Sequence, residues 1–315
     1  MGRTGLVTAT SLNLRPSPST AEPAITQLPR GDRLEILDRL GNWYRVRAAG
    51  GEGFVYADFV RLLDPTPVAG FLRDREDLRG IPLEPSPDRR LNAAAGLPPL
   101  QRVVSRAWNL QGGLVEAVGN VVEIPAAAAV AVLCVESGGQ TSAPDGRMII
   151  RFENHVFFQQ WGKANPEPFH VHFYFDPEEP WRRHKFRERP AQDFADFHGD
   201  QSQEWRVLAL ARGLSEPAAL RSISMGAPQI MGFNYARIGY DSVREMFEDF
   251  QSHPRFQILA LFDFIKGPGA TSPLLEALQR RRFDDFAALY NGPGQAAEYS
   301  ARLQVHFEAF QGLRA

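Results

Sequence analysis

A single cysteine, Cys134, stands in 315 residues, so no intramolecular disulfide can form and packing alone must hold the fold. It sits inside the apolar run Ala126 to Val135, where a small buried thiol is the expected role. An excess of one charge is also missing. The 35 basic and 37 acidic side chains leave a formal net charge of −2, which gives no global field for gripping nucleic acid by its phosphates. No stretch approaches the roughly 20 uninterrupted apolar residues of a membrane span, so membrane insertion is not expected. The first residues, Met1-Gly-Arg-Thr-Gly-Leu-Val-Thr-Ala-Thr, contain no apolar core of the kind that directs secretion. The expectation is a protein made in the cytoplasm without a signal peptide.

What is present reads as two domains, a reasonable number for this length. From Leu6 to Leu63 short alternating segments such as Arg33-Leu-Glu-Ile-Leu, Trp43-Tyr-Arg-Val-Arg and Gly53-Phe-Val-Tyr are separated by turn residues. That is the pattern of a small antiparallel barrel, placed at residues 1–64. Between Asp64 and Leu100 come Pro65, Pro67, Pro82, Pro85, Pro87, Pro98 and Pro99 with little periodicity, so residues 65–100 read as a proline-rich linker that either extends or docks.

Residues 101–315 read as mostly helical. Val103, Val104, Ala107, Trp108, Leu110, Leu114 and Val118 define one amphipathic helix, with Gly112-Gly113 as a point of interruption. Ile124-Pro-Ala-Ala-Ala-Ala-Val-Ala-Val-Leu-Cys-Val opens with proline and is apolar on every face, which describes a central buried helix ended by Gly138-Gly139. Further helices are expected at about 200–213, 215–222, 241–251, 254–266, 273–281 and 294–311, started by Asp241, His253-Pro254 and Ser272-Pro273. Arg147-Met-Ile-Ile-Arg-Phe is the one β signal, a short strand or hairpin. Residues 165–198 are rich in aromatics, prolines, histidines and arginines without a period, and read as an irregular insertion.

The chemistry centres on Glu136, at the end of that buried helix. Apolar surroundings and the partial negative charge of a helix C-terminus both disfavour its ionised form, which makes it a candidate general acid. Ser222-Ile-Ser-Met-Gly-Ala-Pro-Gln229-Ile-Met-Gly-Phe-Asn and Ala287-Ala-Leu-Tyr290-Asn291-Gly-Pro-Gly are glycine-turned polar segments suited to lining a sugar groove. For a second carboxylate, Glu153 follows an apolar strand, while Asp145 lies in an ordinary Pro-Asp-Gly turn. A structural ion pair of Glu153 with Arg147 or Arg151 is the competing reading. His155, His170, His172, His184 and His198 form no His-Glu-x-x-His pattern, although His170-Val-His172 could share a strand face; no metal and no cofactor are expected. Arg182, Arg183, Lys185, Arg187 and Arg189 read as a solvated basic loop, or a contact for acidic wall components.

Two resemblances give these readings a context. Leu12-Asn-Leu-Arg-Pro-Ser-Pro-Ser, Leu28-Pro-Arg-Gly-Asp, Gly41-Asn-Trp-Tyr-Arg-Val and Gly53-Phe-Val resemble the bacterial SH3-like family, which implies a wall-binding barrel. Val135-Glu-Ser-Gly-Gly, the Ser-Met-Gly-Ala-Pro-Gln229-Ile-Met-Gly segment and Tyr290-Asn-Gly-Pro are similar to three motif blocks of the goose-type lysozyme and lytic transglycosylase superfamily. With Trp108-Asn, Gly112-Gly-Leu and Arg151-Phe-Glu-Asn-His, the stretch from Arg102 to Phe310 resembles the N-acetylmuramidase family of phage endolysins. The departures from the family pattern are Met225-Gly-Ala-Pro, where a tryptophan and a larger apolar residue are expected before the glutamine, and the long insertion before His198.

The resemblance implies a lysozyme-like fold and cleavage of the β-1,4 bond between N-acetylmuramic acid and N-acetylglucosamine in bacterial peptidoglycan. It places Glu136 as the acid and Glu153 as base or electrostatic stabiliser, with Ser137, Ser224, Gln229, Tyr290 and Asn291 as substrate-binding residues. Reaching the wall would then need a holin or an injection machine. A lytic transglycosylase giving 1,6-anhydro products, and a non-catalytic wall-binding or tail protein, are the alternatives.

Overall fold

The computed structural model describes residues 3–62, 70–269, 272–292 and 294–314. The chain divides into two compact units, Met1–Val68 and Ala69–Ala315. In the first, a five-stranded antiparallel sheet runs in the order β6-β5-β4-β1-β7, with β1 at Arg3–Val7, β4 at Arg33–Leu40, β5 at Trp43–Ala48, β6 at Gly51–Tyr56 and β7 at Val60–Leu62. The β2–β3 pair, Ser11–Leu14 with Thr26–Pro29, joins it through a bridge between Arg15 and Phe54. Successive strand residues face opposite sides, so Tyr44 enters the core with Leu14, Leu34, Val46 and Val55 while Trp43 turns outward. There Trp43 packs edge-on against Tyr56, ring centroids 5.3 Å apart, and Tyr56 leans on the exposed Phe59.

The second unit is built on α2 (Pro99–Val122) and α3 (Ala126–Ser137), preceded by a single turn, α1 (Glu76–Arg79). Every residue of α3 from Ala126 to Val135 is buried, as a helix apolar all round requires. The expected interruption at Gly112-Gly113 does not break α2, but the N–H groups of Gly113 and Leu114 reach the Leu83 carbonyl. A Cβ on Gly113 would lie 2.3 Å from the Glu84 carbonyl oxygen. The glycine is there so that a neighbouring backbone can come close.

That neighbour is the segment expected as a linker. Pro65 and Pro67 lie outside the described residues, but from Gly70 on the segment is a strap fixed to the second unit. Leu72 and Leu78 are buried, and the Leu72 N–H donates to Asp263 at 2.9 Å. Lys266, itself buried, donates to the Gly70 carbonyl at 2.8 Å; Trp108 Nε1 donates to the Arg89 carbonyl at 2.8 Å. The body of the unit grips the strap largely by its carbonyls, those of Gly70, Leu83 and Arg89 among them.

After α3 the chain forms β8 (Ile150–Phe152), α4 (Asn154–Gln160) and α5 (Pro166–His172). His170 and His172 therefore sit in the last turn of a helix rather than on a strand. The insertion is ordered: β9 (Phe173–Tyr174), β10 (Lys185–Phe186) and β11 (Ala195–Asp196) form a small antiparallel sheet. Phe173, Phe186 and Phe197 carry it into the main core. Helix α6 (Gln201–Arg221) is broken in conformation at Ser215, close to the expected division. The glycine-turned segment is a hairpin, β12 (Ile223–Met225) and β13 (Ile230–Met231), with β12 paired to β8.

Helices α7 (Val243–Ser252), α8 (Pro254–Lys266) and α9 (Pro273–Gln279) start at Ser242, His253 and Ser272, each capping a backbone N–H. Ser242 and not Asp241 is the cap, with Glu245 reaching back to the Asp241 N–H. Helix α10 (Phe283–Asn291) was not expected, and α11 (Ala296–Arg314) completes the unit.

The strap gives a truncation test. A chain starting at Gln101 loses the burial of Leu72 and Leu78, on the order of 3–6 kcal/mol, and should melt roughly 10 °C or more below a chain starting at Gly70. Calorimetry of both fragments checks this; equal melting temperatures would return residues 70–100 to the status of a linker.

Candidate active site

Glu136 occupies the last turn of α3, where Gly138 and Gly139 take left-handed conformations with φ of 62° and 73°. Their N–H groups close on the Cys134 and Leu133 carbonyls, at 3.0 and 3.1 Å. A Cβ on Gly139 would meet Ala107 of α2 at 2.4 Å, and Gln111 donates to the Gly139 carbonyl at 2.7 Å. The Glu-Ser-Gly-Gly turn is thus clamped onto α2, which fixes the direction of the carboxyl group.

On its other side stands α11. The Tyr299 hydroxyl donates to Glu136 Oε1 at 2.5 Å, and Arg302 donates to the Val135 carbonyl at 2.9 Å. Burial pushes the Glu136 carboxyl up to about 7, against the opposing pull of the Tyr299 hydrogen bond and the Arg302 charge. Burial likewise holds the Tyr299 and Tyr290 hydroxyls well above the usual phenol range, so both stay protonated as donors. Tyr290, from α10, stacks on Tyr299 and Phe286 with ring centroids 5.9 and 5.1 Å away. Its hydroxyl is influenced by both Glu136 and Arg237, and Arg237 follows the β12–β13 hairpin. Two of the three sequence blocks, those of Glu136 and Tyr290, therefore meet at Tyr299.

The other expected residues divide. Ser137 Oγ turns back to the Leu133 carbonyl at 3.4 Å, and Asn291 ends α10 exposed. Ser224 Oγ donates to Gln229 Oε1 at 2.9 Å, and Gln229 Nε2 donates to the Gly226 carbonyl at 2.8 Å. These side chains brace the hairpin turn. Met225 and Ala227 are fully buried, and Gly226, at φ 67°, leaves room for Gln257, which accepts from the Ala227 N–H at 2.9 Å. The departure from the family pattern is a packing solution beneath the hairpin.

Glu153 belongs to a different set of contacts. Arg151 Nε donates to its Oε1 at 2.8 Å, while Oε2 faces His184 Nδ1 at 3.4 Å and His155 Nδ1 at 3.6 Å. None of these residues touches Glu136 through a described hydrogen bond or ion pair. The ion pair with Arg151 is the competing reading of the sequence. Asp145 is held well below the usual carboxylate range by Arg147 in its own turn. In the basic loop Arg182 and Arg183 pair with Glu179 and Asp176, and Arg187 lies over Phe194. Tyr299 was missed by the sequence reading, because a tyrosine in the first turn of a terminal helix carries no local mark of its partner.

The raised carboxyl of Glu136 fixes the sign of a pH effect. Folding favours its protonated form, so the stability that form contributes is present below the ordinary value of 4.5 and is lost as pH rises through about 7. Relative to Glu136→Gln, the native chain should lose on the order of 1–3 kcal/mol between pH 4.5 and 7. Tyr299→Phe should raise the Glu136 carboxyl further, since the lost bond favours the carboxylate. Thermal unfolding of the three proteins across this range checks both; parallel curves would mean an ordinary, solvated carboxylate.

Comparison with known proteins agrees with this architecture. The bacterial SH3 domain family matches residues 10–61, and the N-acetylmuramidase family matches residues 125–311. No curated protein matches the chain. Among solved structures, the crystal structure of the Burkholderia AP3 phage endolysin is similar at 28% identity, covering 64% of this chain and 70% of that one, with a TM-score of 0.49. The muramidase match takes in more than half of the chain and contains Glu136, Tyr290 and Tyr299. The chain belongs to the N-acetylmuramidase family, a peptidoglycan hydrolase with a bacterial SH3 domain at its N-terminal end.

Proposed function

We propose that this enzyme hydrolyses the β-1,4 bond between N-acetylmuramic acid and N-acetylglucosamine, with Glu136 as general acid. The observation that carries the reading is a carboxyl group at the end of a fully apolar helix, held near neutrality and aimed by a tyrosine hydroxyl. Such a group keeps its proton in a large fraction of molecules near neutral pH and can pass it to the leaving glycosidic oxygen. The carboxylate it leaves, stabilised by Tyr299 and Arg302, then accepts a proton from the incoming water. One residue can serve both half-steps.

Glu153, expected as base or electrostatic stabiliser, is given no proton-transfer role in this mechanism, because its Oε1 is held by Arg151, its Oε2 faces His155 and His184, and no described hydrogen bond or ion pair links it to Glu136. Tyr290 and Asn291 are assigned to sugar binding, and Ser137, Ser224 and Gln229 to shaping the groove. The outward Trp43, Tyr56 and Phe59 give the SH3 domain an aromatic surface for wall glycopeptide. No helix among the described residues is long and apolar enough to cross a membrane, and we include delivery by a holin or an injection machine in the proposal.

Glu136→Gln should lower lysis of purified sacculi by at least about 10²-fold while preserving the fold, since the amide has nearly the same shape and no proton to give. Mass spectrometry of the soluble products should find N-acetylmuramic acid ends that borohydride reduces. Non-reducible 1,6-anhydro ends would make the enzyme a transglycosylase, and undiminished lysis by Glu136→Gln would remove Glu136 as the acid.

A further inference from the structure

The cluster around Glu153 is unusual because acceptors crowd it without enough donors. His184 Nε2 faces the Pro180 carbonyl at 2.8 Å and must carry its N–H there, which turns an Nδ1 lone pair inward. His198 Nδ1 faces the buried Glu204 at 2.8 Å, and His198 Nε2 lies 3.0 Å from His184 Nδ1, a second lone pair there when His198 is neutral and a donor when both of its nitrogens are protonated. Glu153 Oε2 adds a carboxylate oxygen, and the Phe152 carbonyl is turned toward the same ring. His155 Nδ1, also inward, is buried without a hydrogen-bond partner. A buried acceptor cluster of this kind requires a cation or a proton among its members.

We propose that Glu153, His155 and His184 form a binding site for a divalent transition-metal ion of the zinc type. Their ligand atoms all lie within 4.8 Å of one another. Tetrahedral ligands on bonds of about 2.0–2.2 Å stand roughly 3.3–3.6 Å apart, and Glu153 Oε2 lies 3.4 and 3.6 Å from the two imidazole nitrogens. Two imidazoles and a carboxylate select zinc, or its neighbours cobalt and nickel, over calcium or magnesium. The outer contacts are those of a metal site as well: the Pro180 carbonyl sets the His184 tautomer, and Arg151 holds Oε1 so that Oε2 turns inward.

The ion would be structural. Glu153 and His155 belong to the start of α4, and His184 comes immediately before β10, so one ion would tie the inserted sheet to the strand that supports the hairpin. This runs against the expectation of no metal, and it holds whether or not Glu136 is the acid. No single pair in the sequence discloses it, because the ligands span a segment without period.

The test uses the full-length, tag-free chain, stripped with a chelator and dialysed against Zn2+. It should retain one ion per chain, melt higher than the stripped form, and with Co2+ develop visible d–d absorption. His155→Ala alters a partly exposed side chain and Glu153→Gln keeps the shape of the carboxylate, so both variants should fold. Each should bind Zn2+ at least about tenfold more weakly and lose the thermal shift. Retention of Zn2+ by either variant equal to that of the native chain, or no retention by the native chain, would overturn the site and leave the cluster to a proton shared between His184 and His198.

Discussion

A helix with no polar face must be covered on all sides, and α3 imposes that demand on the rest of the second unit. α2 approaches through Ala107 and Gln111, α11 through Tyr299 and Arg302, and neither contact is replaceable by solvent. The same requirement raises the Glu136 carboxyl. A carboxyl group at the end of such a helix inherits the dryness of its surroundings, and the surrounding helices then supply the hydroxyl and the cation that keep it from becoming wholly un-ionisable.

Much of this was legible in the sequence where one physical signal dominated. The alternation of the first domain, the apolar run of α3 and the proline-marked starts of α8 and α9 are each read from period or from caps. Glu136 was legible for the same reason, since burial could be inferred from its own neighbours. Helix α10 was hidden although Phe283, Phe286, Ala287 and Tyr290 have helical spacing, because the Gly-Pro-Gly that follows draws the whole segment toward a loop reading. Tyr299 and the histidine cluster depend on partners far along the chain, and no local pattern encodes such a meeting. Ser224 and Gln229 show the opposite limit: a polar motif can be present for turn geometry, its hydrogen bonds already used internally.

Two segments without periodicity, the strap and the insertion, became ordered by different means. The strap presents carbonyls and a few leucines to a body that has polar groups waiting, including the buried Lys266 and an Asp263 carboxyl pushed up to about 7. The insertion relies on phenylalanines that reach the core from very short strands. Both make the catalytic unit larger than its helical periodicity implies.

The bond between Glu136 and Tyr299 joins residues 163 positions apart. During synthesis the chain emerges from its N-terminal end, so α3 is made long before the tyrosine that bonds to its carboxyl group. Until α11 is released, the exposed end of α3 is a sticky apolar surface and not a working site. Assembly of the site around Glu136 is therefore timed by the release of α11, and a chain that stops before it exposes an apolar surface prone to aggregation.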